Sequence, residues 1–277
     1  MFTELTLLID STTPMTRFNF RRLHLAVLVV YPILSSVASL YWRADLWLSL
    51  ILFYLVPSVY LSILNPRAIK RSAVFSLFFG VPISVIVDYL AHLTGSWSMN
   101  HSSSWLGYQI FNFTSVEQIL WAALFAYLVV MFYKYFFDNE LEGKSLSSGM
   151  RWLIVGTALA AGLFFFTLGI NPELLNISYF YLKSGLILTL WPIILVLMFL
   201  PWLSGKLLKA AAYFAIFNLI YELTALRLNQ WSFPGQQFIG QVTLLGQTFP
   251  FEELFFFILL GSMALLCYYE VFDDDRR

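Results

Sequence analysis

The sequence predicts an all-α polytopic membrane protein, with about eight transmembrane helices in two parallel four-helix repeats. Three observations predict it: an apolar composition, apolar stretches of spanning length, and a motif that recurs at a fixed offset. Hydrophobic residues make up 60% of the 277 and charged residues 12%, and mean hydropathy is +0.76. A soluble domain carries about 45–50% apolar and about 25% charged residues. The formal net charge of zero leaves no basic surface for nucleic acid. Cys267 is the single cysteine and lies in an apolar run, which excludes an intrachain disulfide and a cysteine-based metal cluster. The opening MFTELTLLIDSTTPMTRFNFRR lacks the order of a cleaved signal, because its arginines follow the polar stretch.

Apolar stretches of about twenty residues suit a hydrocarbon core. They fall in order at 24–42, 46–65, 72–93, 117–137, 151–170, 180–200, 207–226 and 250–270. Pro57 interrupts the second, where a re-entrant hairpin is the alternative. Pro82 and Pro192 lie inside the third and sixth, which membrane helices accept when neighbours satisfy the freed carbonyls. Basic residues then segregate. Arg17, Arg21, Arg22, Arg67, Lys70, Arg71, Lys134, Lys144, Arg151, Lys206, Lys209, Arg276 and Arg277 share one side, and Arg43, Lys183 and Arg227 the other. That bias predicts a multi-pass protein of the cell membrane with both termini cytoplasmic. The long joints 94–116 and 227–249 fall on the far side.

These two joints resemble each other. Asp88 stands nine residues before Trp97, and Ser115, Glu117 and Gln118 open the next span. Glu222 stands nine residues before Trp231, and Pro250, Glu252 and Glu253 open the next span. The offset of 134 to 135 residues divides the chain into repeats at 1–140 and 141–277. Parallel repeats often pack about a pseudo-two-fold axis along the membrane normal, with the functional cavity between them.

Each of these residues also has a plainer role. Glu117, Glu252 and Glu253 lie in a first helical turn, where a carboxylate favours the dipole by a few tenths to ~1 kcal/mol. Pro250 suits the first helical position, and Ser115 with Gln118 forms a capping-box pattern. Capping does not explain an acid near the end of each preceding span, and an intramembrane acid is a functional candidate by default. Trp97 and Trp231 also fit an interfacial belt. Phe255 and Phe256 are candidates for substrate contact, with packing and lipid contact as the alternative. His24, His92 and His101 are too scattered for a metal site.

The stretch PFEELFFF (250–257), with Glu222 and Trp231 ahead of it and a duplicate in the first half, resembles the integral-membrane lycopene cyclases. The first copy departs from the pattern, lacking the proline and the second glutamate. The resemblance implies a carotenoid cyclase that turns lycopene ψ end groups into β rings without net redox change or cofactor. It implies a lycopene-like substrate in the bilayer, and other enzymes of carotenoid synthesis as partners. A carboxylic acid protonates the terminal alkene, an internal double bond attacks the cation, and a base removes a proton. On this resemblance Glu252 is the proton donor, and Glu253 or Glu222 is its partner or the returning base. Asp88 and Glu117 are the matching groups of the first half. Anionic groups and the faces of Trp97 and Trp231 would stabilise the cations.

Other classes fit less well. No Gly-x-Gly-x-x-Gly follows a strand, which argues against a bound dinucleotide. Three histidines are too few for an iron oxygenase, and the last span lacks an opsin's lysine. A carotenoid hydratase would trap the same cation with water. A proton-coupled transporter would also use parallel repeats and intramembrane acids, but would place them nearer mid-span.

Overall fold

The computed structural model describes residues 14–100, 109–110, 114–138 and 148–272. Lys144, Arg276, Arg277 and His101 lie outside them. Helix α1 runs Pro14–Trp42, α2 Leu46–Leu64, α3 Pro66–Leu93, α4 Val116–Phe136, α5 Ser148–Ile170, α6 Phe180–Phe199 and α7 Pro201–Arg227. The last, α8, is a pair, Glu253–Leu259 and Gly261–Val271, bent by 45°. Apolar helices therefore stand at all eight expected places. Among the described residues six are long and apolar enough to cross a bilayer, and the bent α8 makes seven. In α5 the qualifying stretch shortens to Ile154–Ile170. The protein is an all-α polytopic membrane protein.

Helix is the form that lets a lipid-embedded backbone satisfy its own hydrogen bonds. Pro32 lies inside α1 without a break in the α-helix, whereas Pro57, Pro82 and Pro192 fit this frame by one device. A π turn covers Ile51–Leu55 before Pro57, Ser76–Gly80 before Pro82, and Gly185–Leu190 before Pro192. In each case the residue four positions before the proline, whose carbonyl its ring would strike, lies inside the π turn. α2 accordingly passes Pro57 as one helix rather than a re-entrant hairpin.

Further features recur at the same spacing. Pro57 and Pro192 lie 135 residues apart, as do Pro66 and Pro201, each of which opens a short 3-10 turn. Asp88 and Glu222 lie 134 apart. The one-residue slip falls in α3, whose π turn at Ser76–Gly80 takes up an extra residue that the unbroken α7 does not carry. A π turn is how a helix absorbs such an insertion.

Aromatic packing fills the centre, where α2, α4, α7 and α8 meet. Phe53, Phe132, Phe214 and Phe217 are buried there, and the rings of Phe132 and Tyr213 stack with centroids 4.2 Å apart. Without a hydrophobic force between helices in lipid, van der Waals fit of this kind holds the bundle. Outward faces carry exposed apolar residues such as Leu34 and Val37 on α1, Leu159 and Leu163 on α5, and Met198 on α6. The charges at the C-terminal end of α4 are paired. Lys134 bonds Asp138 at 2.8 Å and lies over the Tyr269 ring, and Tyr133 donates to Glu270.

Candidate active site

The site begins with two helix ends of the same design. α3 closes with Gly95 at φ 64 and α7 with Asn229 at φ 53. Ser96 N–H donates to the Ala91 carbonyl at 2.9 Å, and Gln230 N–H to the Ala225 carbonyl at 3.0 Å. Both are Schellman ends, in which glycine or asparagine accepts the left-handed conformation. Each cap turns its chain back over the bundle, so that Trp97 and Trp231 follow at the same place.

The returning segments pair with each other. Strand β1 (Ser98–Met99) lies antiparallel to β4 (Trp231–Ser232), with Ser98 opposite Ser232 and Met99 opposite Trp231. Between them in sequence come β2 (Gln109–Ile110) and β3 (Thr114–Ser115), which form a hairpin leading into α4. After β4 the strands β5 (Gln241–Leu244) and β6 (Gln247–Pro250) form a hairpin leading into α8. With the 134-residue offset, Ser98 and Ser232 are the same position in two copies. A pair in which a position faces its own copy has a local two-fold axis between the strands.

Below this pair lies a cavity of about 390 Å³. Three carboxylates line it, Asp88 from α3, Glu222 from α7 and Glu253 from α8. Asp88 Oδ2 accepts from Gln118 Nε2 at 3.1 Å. Gln118 is held in turn by the predicted capping box. Its Oε1 accepts from Ser115 N–H at 2.7 Å, and Ser115 Oγ accepts from Gln118 N–H at 3.2 Å. Glu222 Oε1 accepts from the Trp231 indole at 2.9 Å. Glu253 lies beside Glu222 and the Tyr181 hydroxyl, and both act on it electrostatically. The remaining wall is aromatic and aliphatic, including Trp97, Trp121, Phe257 and Ile258. Among the described residues no lysine or arginine lines the cavity. Among the described residues no three His, Cys, Asp or Glu side chains converge as a metal site.

The structure thus brings five predicted residues together: Asp88, Trp97, Glu222, Trp231 and Glu253. It places the others elsewhere. Glu252 is fully buried but does not line the cavity, and its Oε1 accepts from Ile239 N–H at 2.7 Å. Successive helical residues point about 100° apart, so one of two adjacent glutamates faces inward and here it is Glu253. Glu117, the counterpart of Glu252, is likewise buried away from the cavity. Phe255 stacks on Phe251 with centroids 5.8 Å apart and is 37% exposed, which suits lipid contact. Phe256 packs against Gly185, where a Cβ would collide with its ring. Phe257 is the cavity phenylalanine of this run. Pro250 ends β6 opposite Gln241 rather than opening the helix.

Sequence reading missed Tyr181 and gave Gln118 only a capping role. The offset carried a signal for both. Gln118 stands 135 residues before Glu253, and Leu46 stands 135 before Tyr181 and lines the same cavity. Searches of family models, curated proteins and solved structures return no match for this chain.

Proposed function

We propose that the protein is a membrane carotenoid cyclase that closes β rings on an acyclic ψ end group by direct protonation. The observation that carries this reading is the set of three carboxylates converging on one apolar, aromatic cavity with no lysine or arginine among its described lining residues. Lacking a basic counter-ion, adjacent carboxylates have a proton as their available cation. A proton held beside an alkene is what the reaction consumes and returns.

Hydrogen bonding assigns the roles. Glu222 and Asp88 receive donors that cannot accept, an indole N–H and an amide NH₂, and such partners favour carboxylate anions. Glu253 instead lies beside a tyrosine hydroxyl, which can accept as well as donate. Glu253 therefore takes the place sequence reasoning gave to Glu252. It delivers its proton to the terminal alkene, leaving a tertiary cation. The internal double bond attacks that cation and moves the charge into the new ring, beside the anions and the aromatic faces. Loss of a ring proton to Glu253 or Glu222 gives the cyclohexene and restores the site. No electron is gained or lost. A hydratase would capture the first cation with water instead.

The two repeats, 1–140 and 141–277, meet at this cavity about the axis between Ser98 and Ser232. Both termini face the cytoplasm, as the thirteen basic residues on one side and three on the other favour. Reporter fusions at positions 142 and 240 should then report opposite sides, and agreement between them would sink the topology. Expression in a lycopene-accumulating host followed by pigment chromatography tests the chemistry. A cyclised pigment is expected. Unchanged lycopene removes the reading, and a pigment heavier by one water replaces it with the hydratase.

A further inference from the structure

The two halves differ most where the cavity leaves the carboxylates. From Asp88 it continues along α3 past Ser84 and Ile83 to Gly80 and Phe79, nine residues or about 14 Å of helix. Along α8 it continues through Ala264 and Leu265 to Tyr268, and α4 adds Ala122 and Ala126. The α3 and α4 backbones approach closely there. A Cβ on Gly80 would stand 2.9 Å from that of Ala126. The result is a narrow apolar arm leading away from the acids.

In the second half the cavity stops at Asn218 on α7 and at Leu188 and Thr189 on α6. At the 134-residue offset Gly80 becomes Phe214 and Ile83 becomes Phe217, and both phenylalanines are fully buried. The Phe217 ring lies 6.0 Å from Phe53 and 5.5 Å from Tyr54, and Phe214 lies 5.2 Å from Phe132. Packed rings occupy the path that the symmetry would otherwise open.

We infer that the site binds one linear isoprenoid chain in the arm along α3, α4 and α8, so that one chain end is treated per binding event. This rests on the reading of the cavity as a carotenoid site and specifies how the substrate lies in it. The chain end enters among Asp88, Glu222 and Glu253, and the rest follows the Gly80 side. A neutral end suits that position, because an anionic head group would be repelled by the three carboxylates. Unsaturation suits the aromatic wall of Trp121, Phe125 and Phe79. Two-ended substrates must leave and turn round before the second ring forms.

The test uses the full protein in phosphatidylcholine vesicles with a geranylgeranyl chain carrying a photoreactive diazirine midway along it. After illumination, peptide mapping should find label on residues 79–84, 122–126 and 264–268, and not on 213–217. Ile83→Phe copies into the arm the ring that Phe217 holds, and should abolish that labelling. Phe217→Ile should add label at 213–217. In a time course with lycopene, the singly cyclised product should precede the doubly cyclised one. Equal labelling of both paths, absence of label, or indifference to Ile83→Phe overturns the arm. Simultaneous appearance of both products overturns the one-end rule. Failure of the cyclase reading is a distinct result, in which label stays confined to the arm while no ring forms.

Discussion

In the second half Glu222 is paired with Glu253, with the Trp231 indole donating to Glu222 and the Tyr181 hydroxyl beside Glu253. In the first half Asp88 is paired with Gln118, and Leu46 stands where Tyr181 would. One copy thus offers two carboxylates and a hydroxyl, and the other a single carboxylate fixed by an amide. The same division extends along the cavity, where the first half is open and the second filled with rings. On the proposed reading the two repeats form one site with two unlike sides, one holding the proton and the other admitting the chain.

Exchanging residues between the sides breaks the comparison most sharply. Glu253→Gln gives the second half the amide of the first. It should lower turnover about 10²–10⁴-fold, the usual loss for a missing acid–base group. Adding Gln118→Glu to that variant moves the carboxylate across the axis. It should not restore turnover, because Leu46 supplies no hydroxyl there. Recovery would mean that the halves are interchangeable.

Trp231→Phe should come next. It removes the donor to Glu222, and a hydrogen bond to a charged group is worth about 1.5–3 kcal/mol. At about 1.4 kcal/mol per factor of ten, steady-state turnover should fall roughly ten- to a hundredfold. Trp97→Phe should cost less, because Gln118 rather than Trp97 holds Asp88. Tyr181→Phe, measured the same way, removes the hydroxyl beside Glu253 and should cost a few-fold, the scale of one neutral polar group at about 0.5–1.5 kcal/mol.

The smallest effect is expected at Glu252. A glutamine there keeps an oxygen for the Ile239 N–H, so Glu252→Gln should leave turnover within about threefold of the parent, with thermal stability changed by about 1 kcal/mol or less. A large loss in Glu252→Gln with little in Glu253→Gln would reverse the assignment.

Much of this was legible in the chain, for physical reasons. Hydropathy located every helix, because a bilayer imposes a length on them. The acid–tryptophan–glutamate recurrence found both helix ends of the site, because the same cap and turn are built twice. Ser115 and Gln118 announced their capping box through a spacing that only local geometry governs. The choice between Glu252 and Glu253 was not legible. It depends on the rotation of α8, which is fixed by the β5–β6 hairpin and the Ile239 contact, features distant from the motif. Tyr181 was hidden because it comes from the start of α6, far in sequence from PFEELFFF. The filled second path was hidden because a phenylalanine inside a membrane helix reads the same whether it plugs a cavity or faces lipid.

The central claim, that Glu253 protonates the substrate directly, is tested by running the reaction in deuterated water. Membranes bearing the parent, Glu253→Gln or Glu252→Gln are incubated with lycopene, and the pigments are weighed by mass spectrometry. The account predicts a cyclised product carrying no more than a single deuterium per ring in the parent and in Glu252→Gln, and at most a trace of it from Glu253→Gln. Two or more deuteriums per ring, or cyclised product at the parent's yield from Glu253→Gln, would contradict it.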